Sequence, residues 1–107
     1  MLIVTTNDLA GYKITKVIGE VSGMTVRTRN VVAQIGSSFR AIAGGELPAL
    51  TKQLAETREE AVARMTQAAF SKGANAILAM RFDSNEINGT MQEVLAYGTA
   101  VVVEPLG

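Results

Sequence analysis

The side chains that could do chemistry in this sequence are carboxylates, hydroxyls and guanidinium groups, because cysteine and histidine are both absent. The chain therefore has no disulfide framework, no thiol nucleophile and no Cys/His metal site. Oxygen donors suit a hard cation such as calcium or magnesium, whereas soft heavy metals prefer thiolate and imidazole. The acids that a cation could use are scattered along the chain: Asp8, Glu20, Glu46, Asp83, Glu86, Glu93 and Glu104.

Four short motifs resemble functional sites, and each lacks an essential part. The stretch DSNEING, residues 83–89, has the composition of a calcium loop without its spacing or closing Glu, so we interpret it as a polar hairpin turn. The serines at 37–38 have no histidine to activate them, and the glutamates at 59–60 point about 100° apart around a helix. Gly44 and Gly45 precede a helix and could bind an anion, but the phosphate-loop spacing and lysine are missing. We therefore predict no catalysis, no cofactor and no metal ligands.

The stretch KGANAILAMRFDS, residues 72–84, could form either the rim of a reaction site or part of a contact between subunits. It predicts a helix end, a glycine cap and a strand with Arg81 and Asp83 near its end. Tyr97, beside Gly98 and Thr99, could line a pocket, although an aromatic in a strand is more often core. The candidate interface or ligand contacts are Gly44, Gly45, Arg81, Asp83 and Tyr97.

Length and composition indicate one globular domain spanning residues 1–107, with 48% hydrophobic and 19% charged residues. The net charge is zero and aromatic residues are few, which argues against a nucleic-acid binder. The charges are uneven: residues 9–45 carry five bases and one acid, and residues 46–107 carry eight acids and five bases. Opposite poles could meet between subunits. Neither a secretory signal nor a membrane span is recognisable, so we expect a cytoplasmic protein.

The elements that must position these residues follow from periodicity. Residues 14–27 are rich in β-branched side chains and predict one long strand, with Gly19 and Gly23 at bulges or bends. The stretch LIVTT before it predicts a short strand, and residues 30–45 a short helix. Residues 48–72 predict the main helix, which begins at a proline and ends before Gly73. Its apolar stripe is Leu50, Leu54, Ala61, Met65 and Ala68.

Two strands follow, NAILAMRF and EVLAYGTAVVVE, joined by a turn at Asn88-Gly89. A two-residue turn there would place Phe82 opposite Leu95. The strand side chains predicted under the helix are Leu78, Met80 and Phe82; those predicted on the opposite side are Ile77, Ala79 and Arg81. The last strand is apolar on both faces, and one helix can cover only one of them. The pattern predicts an α+β subunit with an antiparallel sheet and a homo-oligomer.

Four ordered motifs carry a resemblance over nearly the whole chain: GYKITKVIGEVSG, AGGELPALTKQLAETREEAVARM, KGANAI and AYGTAVVV. With them the chain resembles the YbjQ family, an uncharacterised group that also carries a heavy-metal-binding label. The resemblance implies a dodecin-like β-α-β-β subunit and a ring-shaped homopentamer. The label fits poorly with oxygen donors alone, and Arg81 beside Asp83 weakens a metal site at the strand end where family members carry an acid.

Three functions follow as expectations. The first is a small homo-oligomeric scaffold or binding protein, which the family resemblance implies to be a pentamer, with any ligand at subunit interfaces or along the ring axis. The second is a metal-ion or small-anion binding protein, as the family label suggests. The third, a flavin store, rests on the dodecin-like fold alone and lacks a tryptophan for stacking.

Overall fold

The computed structural model describes residues 1–28, 48–89 and 91–107. Its elements are β1 (Leu2–Ile3), β2 (Tyr12–Thr28), α1 (Pro48–Ser71), β3 (Ala76–Ile87) and β4 (Met91–Pro105). The predicted α+β class and the order of strand, helix, strand and strand after a short first strand are confirmed. The short helix predicted within residues 30–45 lies outside the described residues.

The strands form one four-stranded sheet in the order β1-β3-β4-β2. The antiparallel prediction holds for β2 with β4 and for β3 with β4. It is wrong for β1, which runs parallel to β3 and pairs Leu2 with Ala76 and Ile3 with Ile77. No hairpin joins these two strands, so no local turn dictates their relative direction.

Strand β2 is longer than predicted and irregular in its first half. Its register against β4 shifts between Ile14 and Lys16 and again between Val17 and Gly19. Gly19 has a φ of +129°, which confirms the predicted bulge there. Gly23 does not bulge. A Cβ at Gly23 would lie 2.2 Å from the carbonyl oxygen of Ala61, so this glycine is needed for close approach of α1.

Helix α1 crosses β2 and β4 and ends in a Schellman motif. The Gly73 amide donates to the Phe70 carbonyl at 3.0 Å, and the Ala74 amide donates to the Ala69 carbonyl at 3.1 Å. Gly73 has a φ of +86°, which confirms the predicted cap. The predicted stripe is partly wrong because Leu54 is 39% exposed. The buried line of α1 is Thr57, Ala61, Met65 and Ala69.

The β3–β4 hairpin has the predicted turn and a different register. Asn88 and Gly89 both have positive φ, at 52° and 67°, as a type I′ pair requires. However, Ile87 pairs with Met91, so three residues separate the paired positions. Phe82 consequently pairs with Ala96 and not with the predicted Leu95.

A second bulge, in β3, reverses which side chains face the helix. The register against β4 shifts between Leu78 and Arg81, and Ala79 adopts a φ of 53°. Before the bulge, Ile77 packs under α1 and Leu78 packs on the opposite face, the reverse of the prediction. After it, Met80 packs with the helix-side core as predicted. One inserted residue changes the side of every position that follows.

The sheet consequently has two apolar clusters, one on each face. Under α1 the buried residues are Val21, Ala61, Met65, Ala69, Ala74, Ile77, Val94, Ala96 and Ala100. On the outer face, which we define as the side of the sheet away from α1, they are Ala76, Leu78, Val101 and Val103. Val4 and Leu9 of the N-terminal segment pack against this second cluster. The chain itself therefore covers one end of the outer face. The sequence had predicted that a partner chain covers this face.

Candidate functional site

The structure brings three of the five candidate residues together. Arg81 pairs with Tyr97 across β3 and β4, and Asp83 pairs with Leu95. Because side chains alternate along a strand, these positions of β4 share the outer face with Val101 and Val103, as do Arg81 and Asp83. Gly44 and Gly45 lie outside the described residues. A role for any of the five as a ligand or interface contact stays a prediction.

Arg81 holds the N-terminal segment against the bulge in β3. Its Nη1 donates to the Thr5 carbonyl at 2.9 Å and to the Met80 carbonyl at 2.8 Å. The Ala79 amide donates to the Thr6 carbonyl at 2.8 Å, which adds a backbone link at the same place. The planar guanidinium suits such a two-carbonyl contact. Arg81 is thus structural within the subunit, and the predicted pairing with an acid of a neighbouring chain stays a prediction.

The carboxylates do not converge. Within residues 1–28, 48–89 and 91–107, no group of three or more acidic side chains is placed to hold a metal ion. The Asp83 carboxylate instead accepts a long hydrogen bond of 3.4 Å from the side-chain Nδ2 of Asn85. The outermost part of DSNEING is the hairpin turn, with the preceding residues in β3.

A shallow groove between α1 and β3 was not predicted from the sequence. It measures about 460 Å³ and is lined by Ala55, Arg58, Glu59, Val62, Ala63 and Phe82. The Arg58 guanidinium lies over the Phe82 ring, 5.4 Å from its centroid, in a cation–π contact. Phe82 is 38% exposed, whereas the sequence predicted it to be covered by the helix. The groove exists because α1 lies over β2 and β4 and hardly reaches β3.

A charged cluster ties α1 to β2. The Glu60 carboxylate accepts from Arg27 on β2 and, at 2.6 Å, from Arg64 one turn further along the helix. Arg64 also donates to the Met24 carbonyl on β2 at 2.6 Å. The Glu60–Arg64 pair was visible in the sequence as an i,i+4 spacing, but the contact with Arg27 spans 33 positions and had no local signal.

The sheet leaves apolar side chains exposed on its outer face. We define the outer apolar patch as Ile14, Val17, Met24, Val26 and Tyr97, all of which are exposed. The β2 members pair with odd-numbered positions of β4, which places them on the same face as Tyr97. Val17 is the most exposed of them, at 64%. These residues lie beyond the part of the face that the N-terminal segment covers.

No helix in the described part of the chain has the length and apolar character needed to cross a membrane.

Comparison with known proteins gives a consistent assignment. The YbjQ family, described as "Putative heavy-metal-binding", matches residues 1–104. A UPF0145 protein of Acidothermus cellulolyticus is 51% identical over 106 residues, covering 99% of this chain and 98% of that protein. The UPF0145 protein YjfJ of Lactococcus lactis subsp. lactis is 50% identical over 106 residues, covering 99% of this chain and 97% of that protein.

A solved structure supports the fold. It is a crystal structure of a protein with unknown function, of the DUF74 family, from Pediococcus pentosaceus. It matches with a TM-score of 0.56 and 19% identity, covering 97% of this chain and 98% of that chain. At this identity the likeness bears on the fold alone. The family match and the relatives agree with the resemblance in the sequence motifs, and the chain belongs to the YbjQ family.

Proposed function

We propose that this protein is a small, cytoplasmic homo-oligomeric scaffold or binding protein, assembled as a pentameric ring and without catalytic activity. The observation that carries the proposal is the outer apolar patch, which occupies the part of the sheet that neither α1 nor the N-terminal segment covers. Exposed apolar side chains gathered on one face of a sheet are typical of an interaction site. The ring and its number of subunits come from the resemblance stated above.

The exposure of the patch supports a contact of useful size. Its members expose between 36% and 64% of their surface. A stable contact between proteins buries about 800 Å² on each partner. Burial of the outer apolar patch and its surroundings by another copy would bring the exposed surface of each chain closer to that of a compact protein.

The assembly can be tested by light scattering coupled to size exclusion at micromolar concentration. We expect a mass of five times the 11.3 kDa chain. A mass equal to one chain would reject the proposal. A matched pair of variants locates the contact: Val17→Ser, within the outer apolar patch, should weaken assembly, and Lys72→Ser, near the helix end and remote from the patch, should not.

The family description favours a second candidate, a metal-ion binding protein. The oxygen donors in the described residues would suit a hard cation more than a heavy metal. Native mass spectrometry of protein purified without added ligand measures assembly and retained mass together. A stoichiometric metal mass would favour this second candidate, and a ligand-free oligomer would favour the scaffold.

A further inference from the structure

The sheet has two edges that no described strand covers. Strand β2 is the last in the order β1-β3-β4-β2, so along its length half of its amide and carbonyl groups point away from β4. Strand β1 pairs with β3 only at Ala76 and Ile77. Beyond the bulge, residues 82–85 make no backbone hydrogen bond to another described residue on the side away from β4. Such edges are templates for a further strand.

The two open edges lie at the same height along the sheet. Gly23 of β2 and Phe82 of β3 both pair with Ala96, and Thr25 and Ser84 both pair with Val94. Residues 23–28 of β2 are also free of the bulges that distort the first half of the strand. A neighbouring copy could therefore set its β3 edge beside this part of β2 without sliding along the strand axis.

Charge distinguishes this pairing from the symmetric alternatives. Residues 23–28 of β2 carry one base, Arg27, and residues 82–85 of β3 carry one acid, Asp83. Pairing either segment with a second copy of itself would bring charges of one sign together, which destabilises a strand pair. Pairing residues 23–28 with residues 82–85 brings no two charges of one sign together. A contact between two different surfaces repeats from copy to copy and forms a ring where the rotation between copies closes.

We infer that residues 23–28 of one copy pair with residues 82–85 of the next, so that the sheets join into one continuous sheet around the assembly. This inference rests on the proposed homo-oligomer and adds a backbone contact between copies, next to Met24 and Val26 of the outer apolar patch. If the rotation axis runs along the strands, the two joined strands are parallel, because both are antiparallel to β4. On the outer face, Met24 then lies level with Asp83 of the next copy, since both pair with Leu95 within their own subunit.

Variants at Met24 test the pairing. Met24 pairs with Leu95 within its own chain, so a charge at this position has no charged residue directly opposite it in the subunit. Met24→Glu should raise the concentration at which the assembly dissociates by at least about tenfold, because a second acid would face Asp83. Met24→Lys removes the same apolar side chain and should assemble better than Met24→Glu. The double variant Met24→Glu/Asp83→Lys should recover assembly.

Sedimentation velocity of the wild type and the variants separates the outcomes. A monomeric wild type would overturn the proposed homo-oligomer and this inference with it. An oligomeric wild type whose Met24→Glu and Met24→Lys variants dissociate equally would overturn the edge pairing alone and leave an apolar contact. Unchanged assembly in all variants would also overturn it. Selective loss with Glu and recovery in the double variant would support it.

Hydrogen exchange of the wild-type oligomer gives an independent measurement of the backbone. Edge pairing should slow the exchange of outward-pointing amides in residues 23–28 and 82–85 at least about tenfold relative to the dissociated chain. Fast exchange at both edges in the assembled protein would overturn the inference even if the protein remains oligomeric.

Discussion

The substitution Gly23→Ala tests the closest helix–sheet contact in the described structure. A Cβ at this position would lie 2.2 Å from the Ala61 carbonyl oxygen, 2.2 Å from the Met65 amide nitrogen and 2.8 Å from the Arg64 carbonyl carbon. All three are backbone atoms of α1. No side-chain rotation can relieve the overlap, so the helix itself must move away from β2.

The size of the effect follows from that movement. Restoring ordinary contact from 2.2 Å requires α1 to retreat by about 1 Å. Ala61 and Met65 are fully buried beneath the helix, so the retreat also opens gaps around them. Overpacking of a well-packed core costs about 1 to 3 kcal/mol, and we expect the upper end because backbone must shift. The melting temperature should fall by about 12 °C or more, at about 4 °C or more for each kcal/mol.

Thermal and denaturant unfolding, followed by circular dichroism at fixed protein concentration, measure the loss. Ser22→Ala is the matched control, because Ser22 is the exposed neighbour on the same strand and its side chain points to the outer face. It should change the free energy of unfolding by no more than about 0.5 kcal/mol. If Gly23→Ala melts within a few degrees of Ser22→Ala, the close approach of α1 to β2 is wrong.

Three further predictions concern the cap, the charged cluster and the bulge. Gly73→Val should destabilise the fold by roughly 1 to 2 kcal/mol because its φ is +86°, and an unchanged melting curve would contradict the Schellman cap. Glu60→Gln should cost about 1 kcal/mol or less, since its side chain is 35% exposed, and the difference from wild type should shrink in high salt; a salt-independent difference would argue against an ionic contribution. Arg81→Ala should speed amide exchange at Ala79, whose amide donates to Thr6, while Lys72→Ala should not; equal exchange in both would show that Arg81 does not hold the N-terminal segment.

Local signals were sufficient for the elements and their ends. Gly73 after an amphipathic helix predicted the cap, and Asn88-Gly89 predicted a turn with two positive φ angles, because both depend on the conformations that single residues tolerate. The register between the strands was harder to predict from local signals. Asn88-Gly89 implied Phe82 opposite Leu95, but a third connecting residue moved the pairing by one position.

The candidate site was predicted only in part. Sequence spacing placed Arg81 and Asp83 on one side of β3, and the structure adds Tyr97 as the cross-strand neighbour of Arg81. The groove beside Phe82 could not be predicted, because it depends on where α1 lies across the sheet. The link from Arg27 to Glu60 was equally invisible, since it joins elements that are distant in the sequence.

The sequence by itself determined the class of fold, the family, the helix and its cap, and the excess of apolar side chains in the sheet. These depend on composition, periodicity and local backbone preferences, which are properties of short segments. Only the tertiary structure decided the faces. The bulge at Ala79 changed the side on which later residues of β3 lie, and the N-terminal segment covered Leu78 and Val101. Both depend on contacts between segments far apart in the chain, because such packing sets strand register and the position of a helix over a sheet.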